Sequence, residues 1–187
     1  MKPLEWQVRH TGFQTTSWGY LSFAGSLRKH AVGLADLLRR LAANQRPFHV
    51  VTHSMGAIVF RMACQQLQQD CQSLGGLQRV VMMAPPNSGA PGAKWLQPLF
   101  RLAGKTLNEI SDSPNSLVFQ LRDKIDYQLG IVSGRMDLIV PPSRTLLPGS
   151  DENVCLPATH NSLLLQPKAA MQVVHFLRHG RFADLGC

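Results

Sequence analysis

Phe48-His49-Val50-Val51-Thr52 is a short run of β-branched and aromatic residues, and a helical pattern begins only three residues later, at Met55. A strand that turns straight into a helix cannot be the first arm of a hairpin. It needs a parallel partner, reached by a crossover through that helix. The same unit recurs along the chain. Helical spacing continues from Met55 to about Leu67, Gly75-Gly76 marks a return loop, and Arg79–Ala84 is a second apolar run, stopped by Pro85-Pro86. Tyr127–Ser133 is a third, ending at Gly134. Ahead of the first run, Val32, Leu34, Leu37, Leu38 and Leu41 recur at helical spacing from Leu27. Asn44 to Pro47 ends that helix. Gln166 to Arg178 reads as the last helix, with Met171, Val174 and Leu177 on one face and Gly180 at the place of a C-cap glycine. Phe13 to Tyr20, rich in Thr and aromatics, reads as a further strand.

Short apolar strands alternating with helices predict an α/β fold, a short and mainly parallel sheet with helices on both faces. The 187 residues suit one domain, 1–187. A chain of this length buries roughly 70% of its unfolded surface, so it needs no disulfide or metal staple. Asn87–Asp126 breaks the pattern. It is rich in Gly, Pro, Ser and Asn, holds two short helical candidates, and reads as a cap-like insertion over the strand ends.

Composition excludes several classes. Apolar residues are 44% and charged residues 16%, too apolar for a disordered chain. No apolar run reaches the ~18 residues of a membrane span. The net charge is +8, but the basic residues are scattered and no nucleic-acid motif accompanies them. They read as a solvated surface, with weak contact to anionic membrane as the alternative and nucleic acid excluded. Cys64, Cys71, Cys155 and Cys187 form no C-x-x-C pair and read as buried, reduced thiols. Met1-Lys2-Pro3-Leu4-Glu5-Trp6 lacks the apolar core of a signal peptide, so the expected location is the cytoplasm. His175 and His179 are four apart but have no third ligand nearby, and Gly75-Gly76 does not fit a phosphate-binding loop. No metal and no cofactor is expected.

Ligands on parallel sheets bind at the C-terminal ends of the strands. The first such end reads Thr52-His53-Ser54-Met55-Gly56. It resembles the nucleophile elbow G-x-S-x-G, with Thr52 in place of the first glycine. A sharp turn there lifts the Ser54 hydroxyl above the sheet, and the helix that follows offers the Met55 N–H to a developing oxyanion. Past the third strand lies Asp137, a carboxylate suited to fixing a histidine tautomer. Asp151 and Glu152 are rival acids in what reads as a loop. His160 follows Asp137 by 23 residues and precedes the last helix. The chain order is thus Ser, Asp, His.

Four blocks then carry a resemblance: Phe48–Gly56 (FHVVTHSMG), Arg79–Gly89 (RVVMMAPPNSG), Gly130–Val140 (GIVSGRMDLIV) and Thr159–Phe182. In this order they resemble bacterial α/β-hydrolases of the lipase and esterase type, related to triacylglycerol lipases. The resemblance implies a serine hydrolase of carboxylic esters with Ser54, Asp137 and His160 as its triad. It implies a small ester or lipid as substrate. His53, Trp95, Leu96, Leu99 and Phe100 are candidates for the substrate pocket, although core packing is the preferred reading of the four cap residues. The family also carries an N-terminal strand ending in His-Gly, which supplies a second oxyanion N–H. No such strand precedes Gly12, and Met1–Thr11 resembles only the end of the helix that follows it. The expectation is an N-terminally truncated fold with weak activity and self-association through open strand edges. A non-catalytic remnant serving as an interaction or membrane-surface domain is the alternative of another class. Acyl transfer by the same triad is the further one.

Overall fold

A computed structural model describes residues 1–19, 26–90, 121 and 127–184. The helices are α1 (Lys2–His10), α2 (Leu27–Ala43), α3 (Met55–Gln69), a short α4 (Pro142–Thr145) and α5 (Pro167–His179). The strands are β1 (Phe48–His53), β2 (Leu77–Met83), β3 (Gln128–Gly134) and β4 (Glu152–Leu156). They form one sheet in the order β1-β2-β3-β4. Every pairing is parallel.

The alternation of side chains along each strand decides which face each helix covers. Val80, Met82, Leu129 and Ile131 point to α2 and α3, where Leu27, Leu38, Ile58, Phe60 and Leu67 are fully buried. Val81, Met83, Val132 and Leu156 point the other way, to Leu4 and Val8 of α1 and to Val173, Phe176 and Leu177 of α5. The sheet is therefore covered on both faces, which is why β2 and β3 read as unbroken apolar runs. No helix among the described residues is long and apolar enough to cross a membrane.

Local signals explain the ends of these elements. The Ser26 hydroxyl accepts from the Lys29 N–H and caps α2. Gly180 takes φ 74 after α5, and a Cβ there would meet the Gln128 amide at 2.4 Å. That left-handed turn and close approach need glycine. Arg79 at the start of β2 donates to the Leu177 and Arg178 carbonyls, so a cation satisfies the open C-terminus of α5.

Four expectations need correction. Residues 13–19 are not a strand. Thr15 and Ser17 donate instead to the Glu5 carboxylate of α1, and tertiary context overrides β propensity. The stretch around Asp151 and Glu152, read as a loop, instead leads from α4 into β4, which pairs with β3 from Gly130–Glu152 to Gly134–Leu156. Asp151 and Glu152 thus stand at the start of a strand, far from its functional end. Cys64 is buried, but Cys71 and Cys155 are exposed, and none of the three is in a disulfide. Val32 and Met171, read on apolar faces, are 47% and 46% exposed. Among the described residues β1 pairs on one side only, with β2. Most of 87–126, including Trp95, Leu96, Leu99 and Phe100, lies outside the described residues.

Candidate active site

Ser54 occupies the single residue between β1 and α3, with φ 53 and ψ −128. A non-glycine residue at that φ is strained, by about 1–3 kcal/mol, and surrounding bonds hold it there. The Ser54 N–H donates to the Met83 carbonyl at 2.8 Å, and the Ser54 carbonyl accepts from the Ala57 N–H at 3.0 Å. Both ends of the residue are tied, one to the sheet and one to the helix, so the side chain is turned up off the sheet. The elbow closes with Thr52 at the place of the first glycine. A Cβ on Gly56 would lie 3.9 Å from the Thr52 Cβ, an ordinary contact, so the two positions do not compete for space. The Thr52 hydroxyl is buried without a hydrogen-bond partner. Met55 is the first residue of α3, where a backbone N–H has no acceptor within the helix.

His160 lies past the end of β4, and Asp137 past the end of β3, the neighbouring strand. Their backbones continue the ladder in loosened form. Arg135 N–H donates to the Leu156 carbonyl at 2.7 Å, and Met136 N–H donates to the Ala158 carbonyl at 3.0 Å. A Cβ on Gly134 would lie 2.5 Å from the Ala158 carbonyl oxygen. Glycine at 134 is what lets the acid-bearing and histidine-bearing segments approach. Gly134→Ala should therefore cost roughly 1–3 kcal/mol of stability by overpacking against backbone. Urea denaturation checks this, and the unfolding midpoint should fall while the slope is unchanged.

The three side chains form one hydrogen-bonded chain. His160 Nδ1 lies 2.7 Å from Asp137 Oδ2, and His160 Nε2 lies 2.8 Å from Ser54 Oγ. A carboxylate only accepts, so Nδ1 carries the proton, and Nε2 is left to accept from the serine hydroxyl. Asp137 is 3% exposed. Its other oxygen, Oδ1, accepts from the Ile139 N–H at 2.9 Å and the Val140 N–H at 2.8 Å. These two amides fix the carboxylate plane. Asp151, the rival acid, accepts from the Leu129 N–H at the opposite end of β3.

His53 sits beside this chain. Its Nε2 lies 3.0 Å from the His160 carbonyl oxygen, and the two rings are 4.9 Å apart between centroids. Burial, the main cause, lowers its pKa to about 4, with the neighbouring His160 ring pushing the same way. Burial and then the Arg79 charge also lower the pKa of His49. A group whose folded pKa is lowered binds fewer protons than in the unfolded chain. Its stabilising effect is complete above the unfolded value, ~6.5, and is lost as pH falls towards the folded one. We predict a stability loss on the order of 3 kcal/mol between pH 6.5 and 4 from His53, with His49 acting in the same direction. Denaturant midpoints across that window test it, and His53→Gln should flatten the dependence.

The structure thus brings together Ser54, Asp137, His160, the Met55 N–H and His53. Sequence reasoning missed the Ile139 and Val140 amides, although an aspartate just past a glycine-ended strand commonly accepts from the backbone N–H groups of the turn that follows it. No group of three or more His, Cys, Asp or Glu residues among the described residues is placed to hold a metal ion.

No family model matches this sequence. No curated protein matches it either. Solved structures do. A mature lipase of Bacillus licheniformis matches with TM-score 0.63 at 13% identity, over 84% of this chain and 75% of that one. A monoacylglycerol lipase of Paleococcus ferrophilus matches with TM-score 0.65 at 14% identity, over 95% of this chain and 88% of that one. A phospholipase of Legionella pneumophila matches with TM-score 0.56 at 18% identity, over 71% of this chain but only 33% of that longer protein. At these identities the likeness speaks to the fold. Taken with the parallel sheet, its helices on both faces and the tight turn at Ser54, it establishes that this chain has the α/β-hydrolase fold.

Proposed function

We propose that the chain is a serine hydrolase of carboxylic esters, with Ser54 as nucleophile, His160 as base and Asp137 as the acid that orients it. The observation that carries this reading is the unbroken hydrogen-bond chain from Ser54 Oγ through His160 to a buried Asp137. In the proposed reaction Ser54 Oγ bonds to the ester carbonyl carbon as its proton passes to His160 Nε2. The carbonyl oxygen takes the negative charge and receives the Met55 N–H. As the carbonyl re-forms, the ester C–O bond breaks, and His160 gives its proton to the departing alkoxide. An acyl group is left on Ser54. Water then repeats the sequence, losing its proton to His160 and releasing the acid and free Ser54.

The likeness to lipases supports apolar acyl esters as the substrate class. A series of p-nitrophenyl esters of rising acyl length tests both parts of the reading. We expect turnover that depends on Ser54, with an initial burst of p-nitrophenol as the acyl-enzyme fills, and preference for the longer apolar acyl groups. Release that is unaffected by Ser54→Ala would contradict the proposal. An alcohol acceptor added to the same assay separates hydrolysis from acyl transfer, since only transfer yields the new ester.

A further inference from the structure

His53 is adjacent to Ser54 in the chain and bonded to the backbone of His160, 107 residues away. One residue therefore links the end of the nucleophile strand to the segment that carries the base. The His160 carbonyl it meets belongs to a turn that is otherwise held locally, by the Thr159 N–H donating to Ser162 Oγ at 2.8 Å and by Ser162 Oγ donating to the Thr159 carbonyl at 3.2 Å. Those bonds shape the turn but do not tie it to β1. The Asp137 bond holds the far side of the His160 ring. Only the His53 bond, among those to the backbone of residues 159–162, reaches the strand that bears Ser54.

We propose that His53 is a positioning residue for the base, donating its Nε2–H to the His160 carbonyl and so setting the distance between His160 Nε2 and Ser54 Oγ. This deepens the serine-hydrolase reading and rests on it. The carbonyl is an acceptor only, so Nε2 of His53 carries the proton. The ring must also stay uncharged while it does this. When His160 takes the serine proton it becomes an imidazolium, and a second cation 4.9 Å away would oppose that charge. The groups that act on His53 are His160 and Asp137 from the strand ends and the α-amino group of Met1 at the start of α1. Burial, the largest effect, favours the neutral ring, as do the charges of the His160 ring and the amino group, while the bond to the His160 carbonyl and the Asp137 charge favour the protonated one. Two neighbouring imidazoles thus have separate tasks: one moves the proton, and the other holds its place without titrating in the working range.

The test compares His53→Ala, which deletes the donor, with His53→Gln, whose side-chain amide can reach the same carbonyl. Loss of one positioning hydrogen bond should lower kcat about tenfold in His53→Ala, with KM within about twofold. His53→Gln should recover most of the loss. A second readout does not depend on turnover, namely the downfield proton NMR signal of the His160 Nδ1–H bonded to Asp137. We expect it to persist in the wild-type chain and in His53→Gln, and to vanish by solvent exchange in His53→Ala. If His53→Gln is as impaired as His53→Ala while the signal persists in both, the proposal is overturned. A loss confined to KM overturns it as well and returns His53 to the substrate pocket. Should activity be indifferent to Ser54→Ala, the hydrolase reading falls, and the NMR comparison still decides whether His53 anchors His160.

Discussion

Ser54→Ala and His160→Ala should each lower kcat on an activated aryl ester by about 10⁴–10⁶-fold, and the double variant should lose little more than either alone. The reason lies in the single hydrogen bond of 2.8 Å between them. Without the hydroxyl there is no atom to acylate. Without the imidazole the hydroxyl keeps its proton and is a poor nucleophile. Each change removes the whole unit, so the effects cannot add. Folding should be spared. Ser54 carries φ 53 whatever its side chain, so alanine inherits the strain already present, and the bonds to Met83 and Ala57 are made by backbone. Steady-state kinetics with circular dichroism of each variant separates lost chemistry from lost fold. Independent, additive losses would show that the two residues do not act together.

Asp137→Asn should lower kcat by about 10⁴-fold, and the structure says why a near-isosteric change should cost so much. One carboxylate oxygen is occupied by the Ile139 and Val140 N–H groups. An asparagine must keep its only oxygen there, because its amide NH2 donates and cannot accept from those two N–H groups. The amide NH2 then faces His160 Nδ1 and forces the lone pair onto that nitrogen. The proton moves to Nε2, where it points at Ser54, and the histidine can no longer accept from the hydroxyl. Asp151→Asn is the control. Its carboxylate bonds to Leu129 at the opposite end of β3, so kcat should be unchanged. If Asp137→Asn keeps full rate, the acid has been placed on the wrong residue.

How far the sequence led depended on whether the signal was local. Strand, turn and helix follow one another directly through Thr52, Ser54 and Gly56, so the elbow could be read without any tertiary knowledge. The buried strands β2 and β3 were legible because both of their faces are covered, which makes them continuous apolar runs. β4 was hidden. Glu152, Asn153, Val154, Cys155 and Leu156 alternate in exposure as an edge strand does, and only Leu156 is fully buried. Its pattern was masked by Pro148 before it and Pro157 after it. The opposite error arose at residues 13–19, where β-forming side chains occupy a stretch that joins no ladder. Strand formation there depends on a partner, which no local pattern encodes. Within the candidate site, the order Ser54, Asp137, His160 was legible in the sequence, and the structure brings these three side chains together. The bond from His53 to the His160 carbonyl was not, because it joins residues 107 apart through a backbone atom that has no sequence signature.

The central claim is that Ser54 is an activated nucleophile, and covalent labelling reads this without knowledge of the natural substrate. The folded chain should be treated with a fluorophosphonate and analysed by intact-mass and peptide mass spectrometry. The account predicts one adduct per chain, on the peptide containing Ser54, absent in Ser54→Ala and strongly slowed in His160→Ala. A folded chain that takes up no label, or takes it up on a different serine, would contradict it.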